Sequence, residues 1–295
     1  MTSIDLPYLR SWIGRSETRA DTATVAPISG LAALLDCGTS LQPPQVVPYL
    51  GHWLYFLSQT ARSLIGDDGH PRTGDFLPPV PLPRRMWAGG EIRFLAPIPV
   101  SAPMQRQSVV SGVTHKVGKS GDLIFLTVEH HITVDGVKAI AERQDLVYRG
   151  PPGDGTTSPT QPTDQNEASG SRYVTLTPVD LFRFSALTFN AHRIHYDRDY
   201  ARNTEGHADL VVHAPYTAIL LINHLMQEMP NVRIQSFSFQ AKNPLFVNRE
   251  VALTAVPQED GIRLIATDGN GVIVMTAYAS TVPRQHQWQK FEVEI

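Results

Sequence analysis

Between residues 189 and 210 the chain reads FNAHRIHYDRDYARNTEGHADL, a polar stretch with three histidines, three aspartates, three arginines and a glutamate. An imidazole ionises near neutrality, so it can both accept and return a proton at working pH. His195, five residues after Asn190 and two before Asp197, is therefore a candidate general acid–base group. Asn190 cannot titrate, but its amide accepts a hydrogen bond through oxygen and donates through nitrogen, which suits it to orienting a water molecule. With His195, the neighbouring His192, His207 and His213 supply the raw material of a metal site. The single cysteine, Cys37, forms no internal disulfide and leaves no cysteine cluster for structural zinc. His130 and His131 lie in an alternating run in which one faces the core and the other faces out.

Residues this polar need a scaffold, and the chain supplies one twice. Residues 150–171, GPPGDGTTSPTQPTDQNEASGS, hold almost no large apolar side chain and are expected as a linker. They separate residues 1–149 from residues 172–295, and three pairs of segments match across that divide in the same order. TVAPISGLAALLD at 24–36 pairs with TLTPVDLFRFSAL at 175–187. VVPYLGHWLYFL from Val46 pairs with VVHAPYTAILLI from Val211, each long enough for a central helix, and RFLAPIPV from Arg93 pairs with FQAKNPLFV from Phe239. Each half continues as alternating apolar runs of strand length, parted by turns at residues 118–121 and 268–271. One long helix wrapped by an antiparallel sheet, in two copies, is the expected architecture. The copies differ in length: Pro27 to Val46 spans 19 positions and Pro178 to Val211 spans 33. The surplus falls in the polar stretch, so the second half is expected to be catalytic and the first to bind substrate.

The bulk numbers agree with a globular enzyme. With 295 residues, 42% hydrophobic and 18% charged, the chain can bury a large core. A net charge of −3 gives no reason to expect a polyanion as partner. The first residues lack the apolar core of a signal peptide and no run suits a membrane span, so a cytoplasmic location, reducing as the lone cysteine suggests, is expected.

SALTFNAHRIHYDRDYA, residues 185–201, resembles the signature of the MaoC-like, R-specific enoyl-CoA hydratases, S-G-D-x-N-P-x-H-x-D followed shortly by alanine. His195, with Ser185, Asp197 and Ala201 at suitable spacing, takes the place of that family's histidine. Asn190 stands where the family has its catalytic aspartate, and His192 where it has asparagine. GDFLPPVPLPRRMWAGG from Gly74, LTFNAHRIHYDRDYA from Leu187 and LVVHAPYTAILL from Leu210 are similar to one branch of that family. It holds the itaconyl-CoA or mesaconyl-C4-CoA hydratases and mitochondrial 3-hydroxyacyl-thioester dehydratases, in which the asparagine and the HRIHYD run are usual.

The resemblance implies a double hot-dog fold of α+β class and a hydro-lyase that adds or removes water across the α,β-double bond of an acyl-CoA, most directly yielding citramalyl-CoA. It implies His195 as general base and acid, with Asn190 orienting the water. Ala214, at the family's glycine position, would donate its backbone N–H to the developing enolate. Arg84, Arg85 and Trp87, in a proline-rich loop, are expected to recognise the acyl group, since the first half has Pro44 at the position matching His195. Arg193, Arg183, Lys242 and His213 are further candidates for binding CoA phosphates or a substrate carboxylate. Metal, cofactor, nucleic acid and membrane are not expected, and a homodimer is a compatible assembly. Two other readings stay open: a 3-hydroxyacyl-thioester dehydratase of fatty-acid synthesis, whose acyl tunnel would be long and apolar with no arginine at its end, and an inactive acyl-CoA-binding hot-dog protein. A thioesterase of the same fold would lack the HRIHYD insert.

Overall fold

The computed structural model describes residues 4–37, 44–118, 121–151 and 171–283, so most of the expected linker lies outside the described residues. Helix α1 (Leu6–Arg10), strand β1 (Ser16–Thr22) and helix α2 (Val25–Leu34) come first. Two short 3₁₀ turns (Gly51–Leu54 and Arg62–Leu64) lead to strands β2 (Arg84–Phe94), β3 (Pro103–Gly118), β4 (Gly121–Val134) and β5 (Val137–Arg149). The second set is β6 (Arg172–Thr175), α3 (Pro178–Thr188), a 3₁₀ turn (Arg193–His195), α4 (Arg198–Asn203) and α5 (Ala214–Glu228), then β7 (Val232–Ala241), β8 (Glu250–Gln258), β9 (Gly261–Asp268) and β10 (Ile273–Pro283).

All of these strands form one antiparallel sheet in the order β1-β3-β4-β5-β2-β7-β10-β9-β8-β6. Read outward from the middle, the two halves have the same internal order, as a duplicated unit requires. The alternation of each run decides which face turns inward: β4 buries Ile124, Leu126, Val128, His130, Ile132 and Val134, one residue in two. Asp135 and Gly136, with φ of 48° and 78°, make the two-residue hairpin between β4 and β5.

The halves join where Gly89–Arg93 of β2 pairs with Ser236–Gln240 of β7. Small residues are needed there: a Cβ on Gly89 would lie 2.5 Å from the Phe239 carbonyl, and one on Gly90 would lie 2.5 Å from that of Arg143. The seam places Arg84, Arg85 and Trp87 differently from the expected loop. They begin β2, paired with Arg149, Tyr148 and Leu146 of β5, because the run continues the β-register up to the prolines before it.

The second half encloses its central helix. Helix α5 starts with Pro215 in its first turn and buries residues all round, among them Tyr216, Ile219, Leu221 and Leu225. The first half does not form the matching helix expected from VVPYLGHWLYFL. Leu50 and Phe56 take the left-handed conformation (φ 62° and 56°), and only Gly51–Leu54 between them is helical. Pro48 restricts the chain just before that turn, and Gly51 packs against its ring.

Candidate active site

A cavity of about 1690 Å³ runs between the first half's sheet and the loops that precede α5. Each of those loops is fixed by capping chemistry. Helix α3 begins in a reciprocal capping box of Thr177 and Asp180 and ends at Phe189 in the left-handed conformation. The Asn190 N–H donates to the Ser185 carbonyl, and the Asn190 Oδ1 accepts from the His192 N–H at 3.0 Å. The chain then makes the 3₁₀ turn that carries His195. Asp197 caps α4 through the Tyr200 N–H and holds Arg193 at 2.7 and 3.0 Å.

His195 is buried, and its Nδ1–H donates to the Val211 carbonyl at 2.7 Å. That bond fixes the tautomer and leaves Nε2 as the basic atom. The ring stacks on His213, centroids 3.5 Å apart and planes 19° from parallel. His213, the cap of α5, meets the Ser185 hydroxyl at 2.9 Å through Nε2. Burial first, then the neighbouring imidazoles His213 and His192, hold His195 well below the usual imidazole range. Burial and His192 push His213 down to about 3. Both rings are neutral at pH 7, so His195 can take a proton. Ala214 begins α5 beside them and lines the cavity; its N–H is among the first-turn amides that no intrahelical carbonyl satisfies.

Two histidine–carboxylate pairs flank His195. His192 Nε2 lies 3.1 Å from Glu205 Oε1, with both side chains buried. Burial raises the Glu205 carboxyl, but hydrogen bonds from His192 and His207 outweigh it and bring the value to about 2. The His192 ring stands edge-on to His195 at 5.3 Å and 4.0 Å from His70. His70 Nδ1 lies 2.9 Å from Asp68 Oδ2. Burial and then the charge of Arg85 push His70 down to about 3, while Asp68, raised by burial and lowered more by His70, falls to about 2. Asp68, His70 and His192 each bring one atom within 4.8 Å of the others, yet each ring already has a carboxylate partner.

The Asp68–His70 pair reaches the site through a tight contact. Gly69 has φ of 89°, and a Cβ there would sit 1.8 Å from the Ala191 carbonyl oxygen. Gly69→Ala is expected to cost about 1–3 kcal/mol and, by forcing the loop off His192, to lower turnover. Thermal melting and kcat measured on one preparation check this; an unchanged Tm would show that the loop accommodates the methyl group.

His195, Asn190, Ala214, His213, Arg84, Arg85, Trp87 and Lys242 all line the cavity. Arg193 and Arg183 do not. Arg193 turns to Asp197 and the Asp67 carbonyl, and Arg183 is exposed on α3. Arg84 donates to the Gly150 and Glu205 carbonyls. Sequence reasoning missed His70 and Asp68, which lie in a loop of the first half with no motif around them. It also missed a polar row across the first half's inner face. Glu17 and Arg19 of β1, Arg106 of β3, His130 of β4, and Glu142 and Gln144 of β5 all face the cavity. The buried Glu142 carboxylate accepts from His52 at 3.1 Å and Trp53 at 2.9 Å. The signal was there: Arg106, His130 and Glu142 sit at inward positions of otherwise apolar alternation.

Known proteins resemble the chain closely. A family model described as hydroxyacyl-thioester dehydratase type 2 matches residues 50–247. The mesaconyl-C(4)-CoA hydratase of Chloroflexus aurantiacus is 41% identical over 276 residues, 90% of this chain and 95% of that protein. The mitochondrial hydroxyacyl-thioester dehydratase type 2 of Schizosaccharomyces pombe is 26% identical, over 73% of this chain and 77% of that one. Among solved structures, HtdX of Mycobacterium tuberculosis superposes with a TM-score of 0.66 at 17% identity, covering 91% of this chain and all of the other. A second protein of that organism, described as a double hot-dog, gives 0.56 at 12% identity, covering 94% and 98%. The fold is a double hot-dog of α+β class. No helix among the described residues is long and apolar enough to cross a membrane.

Proposed function

The chain belongs to the hydroxyacyl-thioester dehydratase type 2 family, whose members are hydro-lyases, and from that premise we propose that it hydrates mesaconyl-C4-CoA or itaconyl-CoA to citramalyl-CoA. The observation that carries this reading is the polar row on the inner face of the first half, which lines the cavity where a long acyl chain would need apolar walls. A short acyl group with its own carboxylate can use that polar row, while apolar residues of the same cavity, among them Trp53, Phe56, Leu77 and Trp87, meet its carbon skeleton. The 41% identity with a mesaconyl-C(4)-CoA hydratase supports the same choice.

His195 Nε2 takes a proton from water as the oxygen attacks the β-carbon, and in the simplest scheme returns it to the α-carbon. Asn190, with one lone pair of Oδ1 spent on the His192 N–H, has a second lone pair and its amide N–H groups with which to orient that water. The Ala214 N–H, at the positive end of α5, meets the enolate oxygen. Arg85, Arg84 and Lys242 are among the cations lining the cavity that can meet CoA phosphates or the acyl carboxylate. We place this chemistry in residues 172–295 and substrate binding in residues 1–149, in the cytoplasm.

The test is hydration of mesaconyl-C4-CoA, itaconyl-CoA, crotonyl-CoA and a long-chain 2-enoyl-CoA, followed by loss of the conjugated thioester absorbance. The carboxylated substrates should lead in kcat/KM by on the order of 10²-fold or more, since a site built for a polar group rejects analogues lacking it. Preference for the long-chain substrate would favour the fatty-acid dehydratase reading. No turnover of any would favour an acyl-CoA-binding protein.

A further inference from the structure

A single histidine need not carry both proton transfers here, because the structure puts a second, better-supported imidazole beside it. We infer that His192, backed by Glu205, is the general acid that protonates the α-carbon, while His195 is the base alone; this rests on the hydratase reading above. The wider MaoC-like pattern has an aspartate where this chain has Asn190, so one proton-bearing group of that pattern is missing. His192 occupies the pattern's asparagine position, two residues on.

The geometry supplies what the missing group would have done. The His192 ring stands edge-on to His195 at 5.3 Å, and both line the cavity. Its Nε2–H faces the buried Glu205 carboxylate at 3.1 Å, and Nδ1 has no hydrogen-bond partner among the described residues. Protonated His192 therefore has a buried counter-ion. Protonated His195 has none: it stacks on His213, faces His192, and donates to a neutral carbonyl. Other charged groups around His192 come from every packed element. Asp68 and His70 lie on the loop before β2, Arg84 and Arg85 on β2, Arg193 on its own turn, Tyr200 on α4, and His207 beside Glu205.

The step balances. A water O–H bond breaks, its proton goes to His195 Nε2, and the oxygen forms its bond to the β-carbon. The π electrons shift to the enolate, and the α-carbon then forms a C–H bond with the proton leaving His192 Nδ1. Solvent returns a proton to His192 and removes one from His195, so no other reactant is needed.

The pH dependence of kcat/KM for mesaconyl-C4-CoA tests this in four proteins: wild type, His192→Asn, Glu205→Gln, and Asn190→Asp with His192→Asn. The wild-type profile should be bell-shaped, the acid limb from His195, which must be neutral, and the alkaline limb from His192, which must be protonated. His192→Asn should lose about 10²-fold or more and drop the alkaline limb. Glu205→Gln, which removes the counter-ion, should move that limb to lower pH. The double variant restores the D-x-N pattern and should recover activity to within about tenfold of wild type. Retention of more than a tenth of wild-type activity in His192→Asn, or an alkaline limb unmoved in Glu205→Gln, overturns the assignment. Loss of wild-type activity on chelation with EDTA also overturns it, since Asp68, His70 and His192 would then be holding a metal ion. Should His192→Asn fail to fold, Glu205→Gln decides. A wild-type protein that turns over none of the thioesters refutes the hydratase reading itself, which is a different failure.

Discussion

Replacing His195 by alanine is expected to lower kcat/KM for mesaconyl-C4-CoA, the proposed substrate, by about 10²- to 10⁴-fold, the usual contribution of an acid–base group. Its nearest neighbours are committed elsewhere: His213 spends Nε2 on Ser185 and has its Nδ1 buried, and Glu205 is hydrogen-bonded to His192. The loss should fall mainly on kcat, because in the proposed scheme His195 acts on the attacking water rather than on the acyl chain. Stability changes less. The substitution removes a ring stacked on His213 and the bond to Val211, and it also removes a buried imidazole that must stay neutral. Steady-state kinetics with a melting curve on the same protein separates the two effects. A variant with more than a tenth of wild-type kcat/KM would take the general base away from His195.

Mild acid should unfold the protein, in a window that the site sets. His70 and His213 titrate at about 3 when folded and His195 also lies well below the ordinary range, each through burial first. In the unfolded chain they titrate near about 6.5. Below that pH the unfolded state binds protons that the folded state refuses, so stability falls by up to about 1.4 kcal/mol per pH unit for each histidine, from about 6.5 downward. Asp68 and Glu205, each held at about 2, add a later loss. Their contribution is present above the unfolded carboxylate values of about 4 and is lost as pH drops below them. The signs agree. Urea midpoints at pH 7.5, 6.5, 5.5 and 4.5 should decline with steepening slope, and His213→Phe should flatten the first part of the curve. A midpoint constant from pH 7 to 5 would mean that these rings are protonated in the folded protein.

Much of the fold could be read from pattern. The repeat was visible in three matched segments, the strands in their alternation, and α5 in an apolar run with Pro215 at its start. The matching run of the first half failed as a helix because apolar length says nothing about the backbone turns at Leu50 and Phe56, which depend on how Pro48 and Gly51 pack. The site divides in the same way. His195, Asn190 and Ala214 are close in sequence to elements whose caps place them, and all three line the cavity. His70 and Asp68 reach the site from more than a hundred residues away, through a contact only glycine permits at residue 69, and no local spacing reports that. Arg183 was a candidate by charge in the second half and Arg193 by its place between the two motif histidines, and neither signal reveals which way a side chain turns.

The pairing of β2 with β7 has one more consequence, for dilution. Two separate subunits joined at such an edge would hold together only above their dissociation constant, and would bring two identical walls to the shared space. Here the partners are tethered, so the encounter is intramolecular and its equilibrium does not depend on how much protein is present. Each wall is also encoded once. Under the proposed division of roles, the wall carrying Arg106 and His130 can change without altering the one carrying His195, apart from the loop that brings His70 against His192.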